Sequence, residues 1–172
     1  VLIIVSGLGV VHGLFLAAFL WGYSKGHKIS NQLLSLLLLV LSFRVGKSVF
    51  LEFAEGIDVK LIFVGLASLM VLGPLFLFFT KSCYIPTFKL TSKHSLHFIP
   101  ALLGILFGFW IQDVHLEILP LPFFATLFIS YYLHFLTYII LSKSYVSKQK
   151  KITTFGDTYN LLNLLFYALL AI

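Results

Sequence analysis

Charged side chains are scarce in this sequence. Of its 172 residues only 10% are Asp, Glu, Lys or Arg, whereas 60% are hydrophobic. Water-soluble domains carry about 25% charged residues. A soluble fold of this length has too little interior to enclose so much apolar surface. The composition therefore indicates an integral membrane protein, with the lipid bilayer as its first partner.

Cysteine and the motifs of enzyme active sites are also missing. Cys83 is the single cysteine, so neither an intrachain disulfide nor a cysteine metal cluster can form. The apolar segments contain no Ser–His–Asp set, aspartate pair, HExxH or glycine-rich phosphate loop. His94 and His97 have no acid or cysteine beside them to complete a metal site. We therefore predict that the chain is not an enzyme and has no resident metal or cofactor.

Long apolar runs are abundant instead. A helix needs about 20 apolar residues to cross the hydrocarbon core, and none of the runs alternates as barrel strands do. The six runs are 1–23, 31–51, 61–80, 96–111, 121–141 and 157–172. We predict an all-α, polytopic transmembrane bundle in a single domain, 1–172, with six spans visible. The last run is still apolar at Ile172, so we expect a longer parent chain.

The charges of the connectors predict the orientation. The first, third and fifth connectors hold nine lysines and no acid before Asp157: Lys25, Lys28, Lys81, Lys89, Lys93, Lys143, Lys148, Lys150 and Lys151. The second and fourth hold five acids and one cation: Glu52, Glu55, Asp58, Asp113, Glu117 and Lys60. Because loops rich in Lys and Arg stay in the cytoplasm, we predict that the N-terminus lies outside.

Two cations lie inside the second apolar run, where Lys47 follows Arg44 by one helical turn. A charge within a span is costly and usually faces the bundle interior or a water-filled cavity. One interpretation is a cationic pocket open to the outer side, suited to a carboxylate or phosphate ligand. The other is that both side chains extend to the outer interface and pair with Glu52 or Glu55. We favour the second for Lys47. For Arg44 we expect acceptors inside the bundle, such as a backbone carbonyl of another span, a hydroxyl of span five (Thr126 or Ser130) or a bound anion.

Two histidines, His12 in the first span and His134 in the fifth, lie at similar depth in the sequence pattern. A pair at matching depth could ligate a haem iron or share an interhelical hydrogen bond, and the hydrogen bond is the commoner arrangement. We keep both histidines, together with Arg44 and Lys47, as candidate ligand-binding residues.

Small residues and a proline recur within the spans. Gly9 and Gly13, like Gly104 and Gly108, have the spacing that lets helices approach closely. Packing within one bundle is the first interpretation of these pairs, and a homodimer contact is the second. In the third span, the Gly-Pro step at Pro74 predicts a kink, because proline lacks a backbone donor and clashes with the preceding turn.

Four short stretches, taken together and in order, resemble one bacterial family. They are Asn31-Gln-Leu-Leu-Ser-Leu-Leu-Leu-Leu, Phe43-Arg44-Val-Gly-Lys47-Ser48, Leu72-Gly73-Pro74-Leu75 and His97-Phe98-Ile99-Pro100. Over most of 1–151 the chain resembles the N-terminal seven-helix transmembrane domain of membrane-bound AraC-type helix-turn-helix transcription regulators.

The resemblance implies a multi-pass sensor in the bacterial cytoplasmic (inner) membrane. In that family seven spans precede a cytoplasmic DNA-binding domain, so DNA would be a partner only through a C-terminal domain beyond residue 172. We expect a sensor domain that responds to an anionic ligand or a partner at the outer face. The alternative is an accessory integral-membrane subunit of a larger envelope complex for secretion or transport. A haem-carrying or substrate-carrying membrane enzyme is the third interpretation.

Overall fold

A computed structural model describes residues 2–53, 59–150 and 156–170. Eight α-helices occupy most of these ranges, and no strand occurs within them. The helices are α1 (Leu2–Gly22), α2 (Lys28–Phe53), α3 (Val59–Tyr84), α4 (Ser92–Ser95), α5 (Ile99–Trp110), α6 (Asp113–Ile118), α7 (Leu121–Lys150) and α8 (Gly156–Leu170). A 3₁₀ turn, Leu96–Phe98, joins α4 to α5. The predicted all-α class is confirmed.

Four of the described helices, α1, α2, α3 and α7, are long and apolar enough to cross a membrane. The other two predicted spans are shorter. Helix α5 has 12 residues and α8 has 15, which gives lengths of about 18 and 22 Å at 1.5 Å per residue. The hydrocarbon core is about 30 Å thick. Helix length therefore supports four of the six predicted spans.

Local chemistry explains why the fourth predicted span is not one regular α-helix. Pro100 lies in the first turn of α5, where its missing N–H costs no intrahelical hydrogen bond. The chain before it is helical but irregular, with α4 followed by the 3₁₀ turn. At the other end Ile111 adopts an extended conformation and stops the helix. The apolar run 96–111 thus consists of a 3₁₀ turn, an α-helix and one extended residue. The helical path as a whole is continuous over 92–110.

Helix α3 is the centre of the bundle. Of its most apolar window 78% is buried, against 6% for α1 and 22% for α2 and α7. Helices α2, α5 and α7 pack around α3, while α1 packs on α2 and α8 packs on α7. An all-round apolar surface is typical of a helix that is enclosed by others. The helix passes through Pro74 without interruption.

Successive long segments alternate in direction. Helix α1 is antiparallel to α2, α2 and α5 are antiparallel to α3, and α7 is parallel to α3. The direction of α1 against α2 follows from the contacts Ala17–Ser35 and Gly13–Ser42. That of α2 against α3 follows from Arg44–Gly65 and His27–Pro86, and that of α5 against α3 from His97–Phe78 and Gly108–Val64. That of α7 against α3 follows from Phe63–Phe124 and Tyr84–Tyr145. The described lysines of the first, third and fifth connectors consequently lie toward one end of the bundle, which we call the lysine end.

The small residues serve packing within the bundle. Gly104 lies against Tyr131 and Ala67, and Gly108 lies against Val64, so α5 approaches α3 and α7 closely. In the pair Gly9 and Gly13, only Gly13 contacts another helix. Gly13 lies on Ser42 of α2, whereas a Cβ at Gly9 would have no neighbour within 4 Å.

Candidate functional site

Arg44 points from α2 toward the centre of the bundle. It lies nine residues before α2 ends, about 14 Å along the helix axis. Its Nη1 donates a hydrogen bond to the carbonyl oxygen of Gly65 on α3 at 3.2 Å. Ser68 donates to the same oxygen at 2.6 Å. The expectation that Arg44 meets a backbone carbonyl of another span is confirmed, while Thr126 and Ser130 bond to carbonyls of their own helix.

Lys47 crosses the same glycine. It is half-buried, and its Cδ would lie 2.5 Å from a Cβ built on Gly65. Glycine at this position therefore gives the lysine stem the space to lie across α3. Both cations of α2 are thus directed at one backbone position of the central helix. The stem of Lys47 lies across α3 at Gly65, and its extension to the outer interface stays a prediction.

A groove of about 580 Å³ lies beside this crossing, between α1, α2 and the first turn of α3. Its walls are apolar side chains: Val10, Leu14, Leu39, Phe43, Phe50 and Leu61. Of the described side chains, Ser42 and Lys47 are the polar ones that line it, and Lys47 carries a charge. Arg44 does not line the groove, and its guanidinium is hydrogen-bonded to the carbonyl oxygen of Gly65. We call this cavity the Lys47 groove.

Close contacts between α1 and α2 border the groove. Ser42, which lines the groove, lies directly against Gly13. Beyond the groove, Ser35 donates its hydroxyl hydrogen to the carbonyl of Ala17 at 2.6 Å. Val10 reaches Gly46 at ordinary contact distance. Because these are small side chains, the two helices are held by a narrow line of contacts, and the larger side chains on either side form the groove.

The surface of the groove is almost wholly apolar, and Lys47 and Arg44 are the described cations next to it. Within the described ranges, no carboxylate pairs with Arg44 or Lys47, and Glu52 is exposed on the last turn of α2. Glu55, the other expected partner, lies outside the described residues. Two neighbouring cations in a setting of low polarity favour an anionic group beside them. The groove therefore suits a molecule with an apolar chain and an anionic head.

The two histidines do not join this site. His12 is exposed on α1, and its Nδ1 bonds to the carbonyl of Leu8 in its own helix at 2.9 Å. His134 is half-buried on α7 with its ring 4.9 Å from that of Tyr138. Its Nδ1 has no hydrogen-bond partner among the described residues. Helix α1 packs on α2 and α7 packs on α3, so the structure does not bring the histidines together as a ligand pair.

A second polar cluster, at the lysine end, has no counterpart among the sites predicted from the sequence. His97 of the 3₁₀ turn pairs through Nδ1 with the hydroxyl of Tyr138 on α7 at 2.6 Å. Lys81 and Lys148 line a cavity beside this pair. In the sequence, His97 stands out through its spacing from His94 and its place before Pro100, and nothing in the spacing links it to the lysines.

Within the described residues, no three His, Cys, Asp or Glu side chains gather where they could hold a metal ion. Comparisons of the chain with protein-family models, with curated proteins and with solved structures find no match.

Proposed function

We propose that this chain is the membrane sensor domain of a membrane-tethered bacterial transcription regulator of the AraC type. In this proposal the Lys47 groove binds an amphipathic carboxylate, with the carboxylate at Lys47 and the apolar chain along α1 and α2. The observation that carries the proposal is a groove of about 580 Å³ in which, among the described lining residues, the charged side chain is a lysine. Sites for small ligands have volumes of about 300–1,000 Å³ and are mostly apolar with few polar groups.

The proposed orientation places the lysine end in the cytoplasm of a bacterial inner-membrane protein and the N-terminus outside. Loops rich in lysine stay in the cytoplasm, and the alternating directions of α1, α2, α3, α5 and α7 support a chain that crosses repeatedly. The proposal includes six spans, with the helical path 92–110 as the fourth and α8 as the sixth. The Lys47 groove would then open toward the outer half of the membrane.

Helix α1 is the element through which a ligand would act. It is the least buried of the four long helices, and it is held to α2 by small contacts such as Ser35 with Ala17. A ligand in the groove touches both helices, so it has different affinities for different packings of α1. It shifts the equilibrium by that difference in affinity. The changed packing at the lysine end would be passed to the DNA-binding domain.

The second candidate is an accessory subunit of a larger envelope complex. The exposed surface of α1 favours it, because Gly9 has open space around it and small residues at a helix surface allow a second helix to approach. The two candidates differ in the sequence that the gene encodes after residue 172. A basic helix-turn-helix module there supports the regulator, and its absence supports the subunit.

Ligand binding can be tested directly in lipid nanodiscs with a fluorescent long-chain fatty acid as the probe. Lys47→Gln removes the charge from the groove, and Lys93→Gln removes an exposed charge at the lysine end. A hydrogen bond to a charged group contributes about 1.5–3 kcal/mol, so Lys47→Gln should weaken binding at least about tenfold. Lys93→Gln should bind as the wild type does. Equal affinities for all three proteins would refute the groove as the ligand site.

A further inference from the structure

The lysine end contains a second cavity, of about 370 Å³, between α3, α7 and the 3₁₀ turn. Its polar lining comes from three separate elements. Lys81 lies near the end of α3, His97 in the 3₁₀ turn, and Tyr138 and Lys148 on α7. Because α3 and α7 run parallel, the lysines near their C-terminal ends reach the same cavity. We call it the two-lysine cavity.

Among the described residues, the polar side chains that line the two-lysine cavity are hydrogen-bond donors and cations, and none is a carboxylate. The His97 ring is fixed by two contacts. Its Nδ1 pairs with the Tyr138 hydroxyl at 2.6 Å, and it packs edge-on to the Phe78 ring with centroids 5.5 Å apart. When the Tyr138 hydroxyl donates to Nδ1, the ring proton is on Nε2, which is then a donor to a third group.

The apolar part of the lining identifies the class of ligand. Leu77 and Leu141 line the cavity beside the cations, and Leu141 is 48% exposed on the outer face of α7. An anionic head within the cavity can therefore continue into an apolar chain that lies along α7 in the membrane. Basic pockets between membrane helices on the cytoplasmic side are places where phospholipid head groups bind.

We propose that the two-lysine cavity binds the phosphate group of an anionic phospholipid from the leaflet at the lysine end. Lys81 and Lys148 neutralise the phosphate from two helices, and the Nε2–H of His97 donates a hydrogen bond to it. The site is separate from the Lys47 groove and does not depend on the sensor proposal. Lipid bound there joins α3, α7 and the 3₁₀ turn.

The test is native mass spectrometry of the protein released from nanodiscs that contain equal amounts of phosphatidylglycerol and phosphatidylcholine. The wild type should retain phosphatidylglycerol in preference. The double variant Lys81→Gln/Lys148→Gln should retain at least tenfold less of it. The matched control is Lys89→Gln/Lys93→Gln, which removes the same charge from exposed residues at the same end. The control should retain lipid as the wild type does.

Three results would overturn the proposal. Equal losses in both double variants would mean that any charge at this end attracts the lipid, and no loss in either would mean that the cavity is empty. Stabilisation of the protein against heat by inorganic phosphate, without retained phospholipid, would replace the lipid with a soluble phosphate. If the double variant is not produced in folded form, Lys148→Gln alone alters an exposed side chain and should still reduce retention several-fold.

Discussion

Replacement of single glycines by alanine tests the helix packing, because the same added methyl group meets three different environments. At Gly108 a Cβ would lie 2.9 Å from the backbone nitrogen and from Cγ2 of Val64. At Gly65 it would meet the flexible end of Lys47, and at Gly9 it would meet nothing within 4 Å. The order of stability of the three variants therefore depends on what each methyl group displaces.

Two opposing effects set the size of each change. Alanine is favoured over glycine in a helix by about 1 kcal/mol, and overpacking of a core costs about 1–3 kcal/mol. Gly9→Ala should gain up to about 1 kcal/mol. Gly108→Ala should lose up to about 2 kcal/mol net, since the backbone of α3 cannot move aside freely. Gly65→Ala should be nearly neutral, because forcing the Lys47 side chain off its rotamer costs about 0.5–1.5 kcal/mol, which offsets the gain from alanine.

Thermal unfolding in detergent, followed with a thiol-reactive fluorophore, measures this order. Cys83 is the single cysteine and is half-buried on α3, so its reaction reports unfolding. One kcal/mol corresponds to about 2–4 °C in Tm for a chain of this size. We expect Gly9→Ala to melt highest and Gly108→Ala lowest. A Gly108→Ala protein as stable as Gly9→Ala would refute the close packing of α5 on α3.

Three further results are expected. In a Cys83→Ser background, single cysteines at 113–117 should react with an impermeant thiol reagent in whole cells. Single cysteines at 25–28 should react only after lysis, and the reverse pattern would contradict the predicted orientation. Arg44→Leu should insert normally but lower Tm by about 1–2 °C, because the bond between α2 and α3 is lost and such bonds contribute about 0.6 kcal/mol. An unchanged Tm would contradict a stabilising role for this bond. Pro74→Ala should give a folded protein with a Tm near that of the wild type, and a large loss would show that the proline shapes the bundle.

The sequence was sufficient to predict the class of fold and the main helices, but not their lengths. Hydropathy averages over a run and does not register that Pro100 begins a helix or that Ile111 ends one. It consequently predicts one span over 96–111. It also ends the fifth span at Leu141, whereas α7 continues to Lys150. Long lysine side chains allow this, because their stems lie along apolar surface while their charges remain in water.

The candidate site was predictable in part. The cost of a charge within a span was enough to predict an interior acceptor for Arg44, and the acceptor is a carbonyl of α3. The path of Lys47 was not predictable, because it depends on Gly65, a glycine of another helix. The two-lysine cavity was not predictable either, because it too depends on which helices pack together. Lys81 and Lys148 are far apart in the sequence and share a cavity only through the parallel packing of α3 and α7.

A ligand in the Lys47 groove is proposed to change the packing of α1, and pulsed electron paramagnetic resonance can measure that change. Spin labels at Ser24 and Thr87, both exposed at the lysine end, report the distance between the ends of α1 and α3. The labelled protein carries Cys83→Ser and is studied in nanodiscs with and without a saturating long-chain fatty acid. We predict that the fatty acid shifts the distance distribution, and that Lys47→Gln abolishes the shift. Identical distributions with and without bound fatty acid would refute the proposed sensing mechanism.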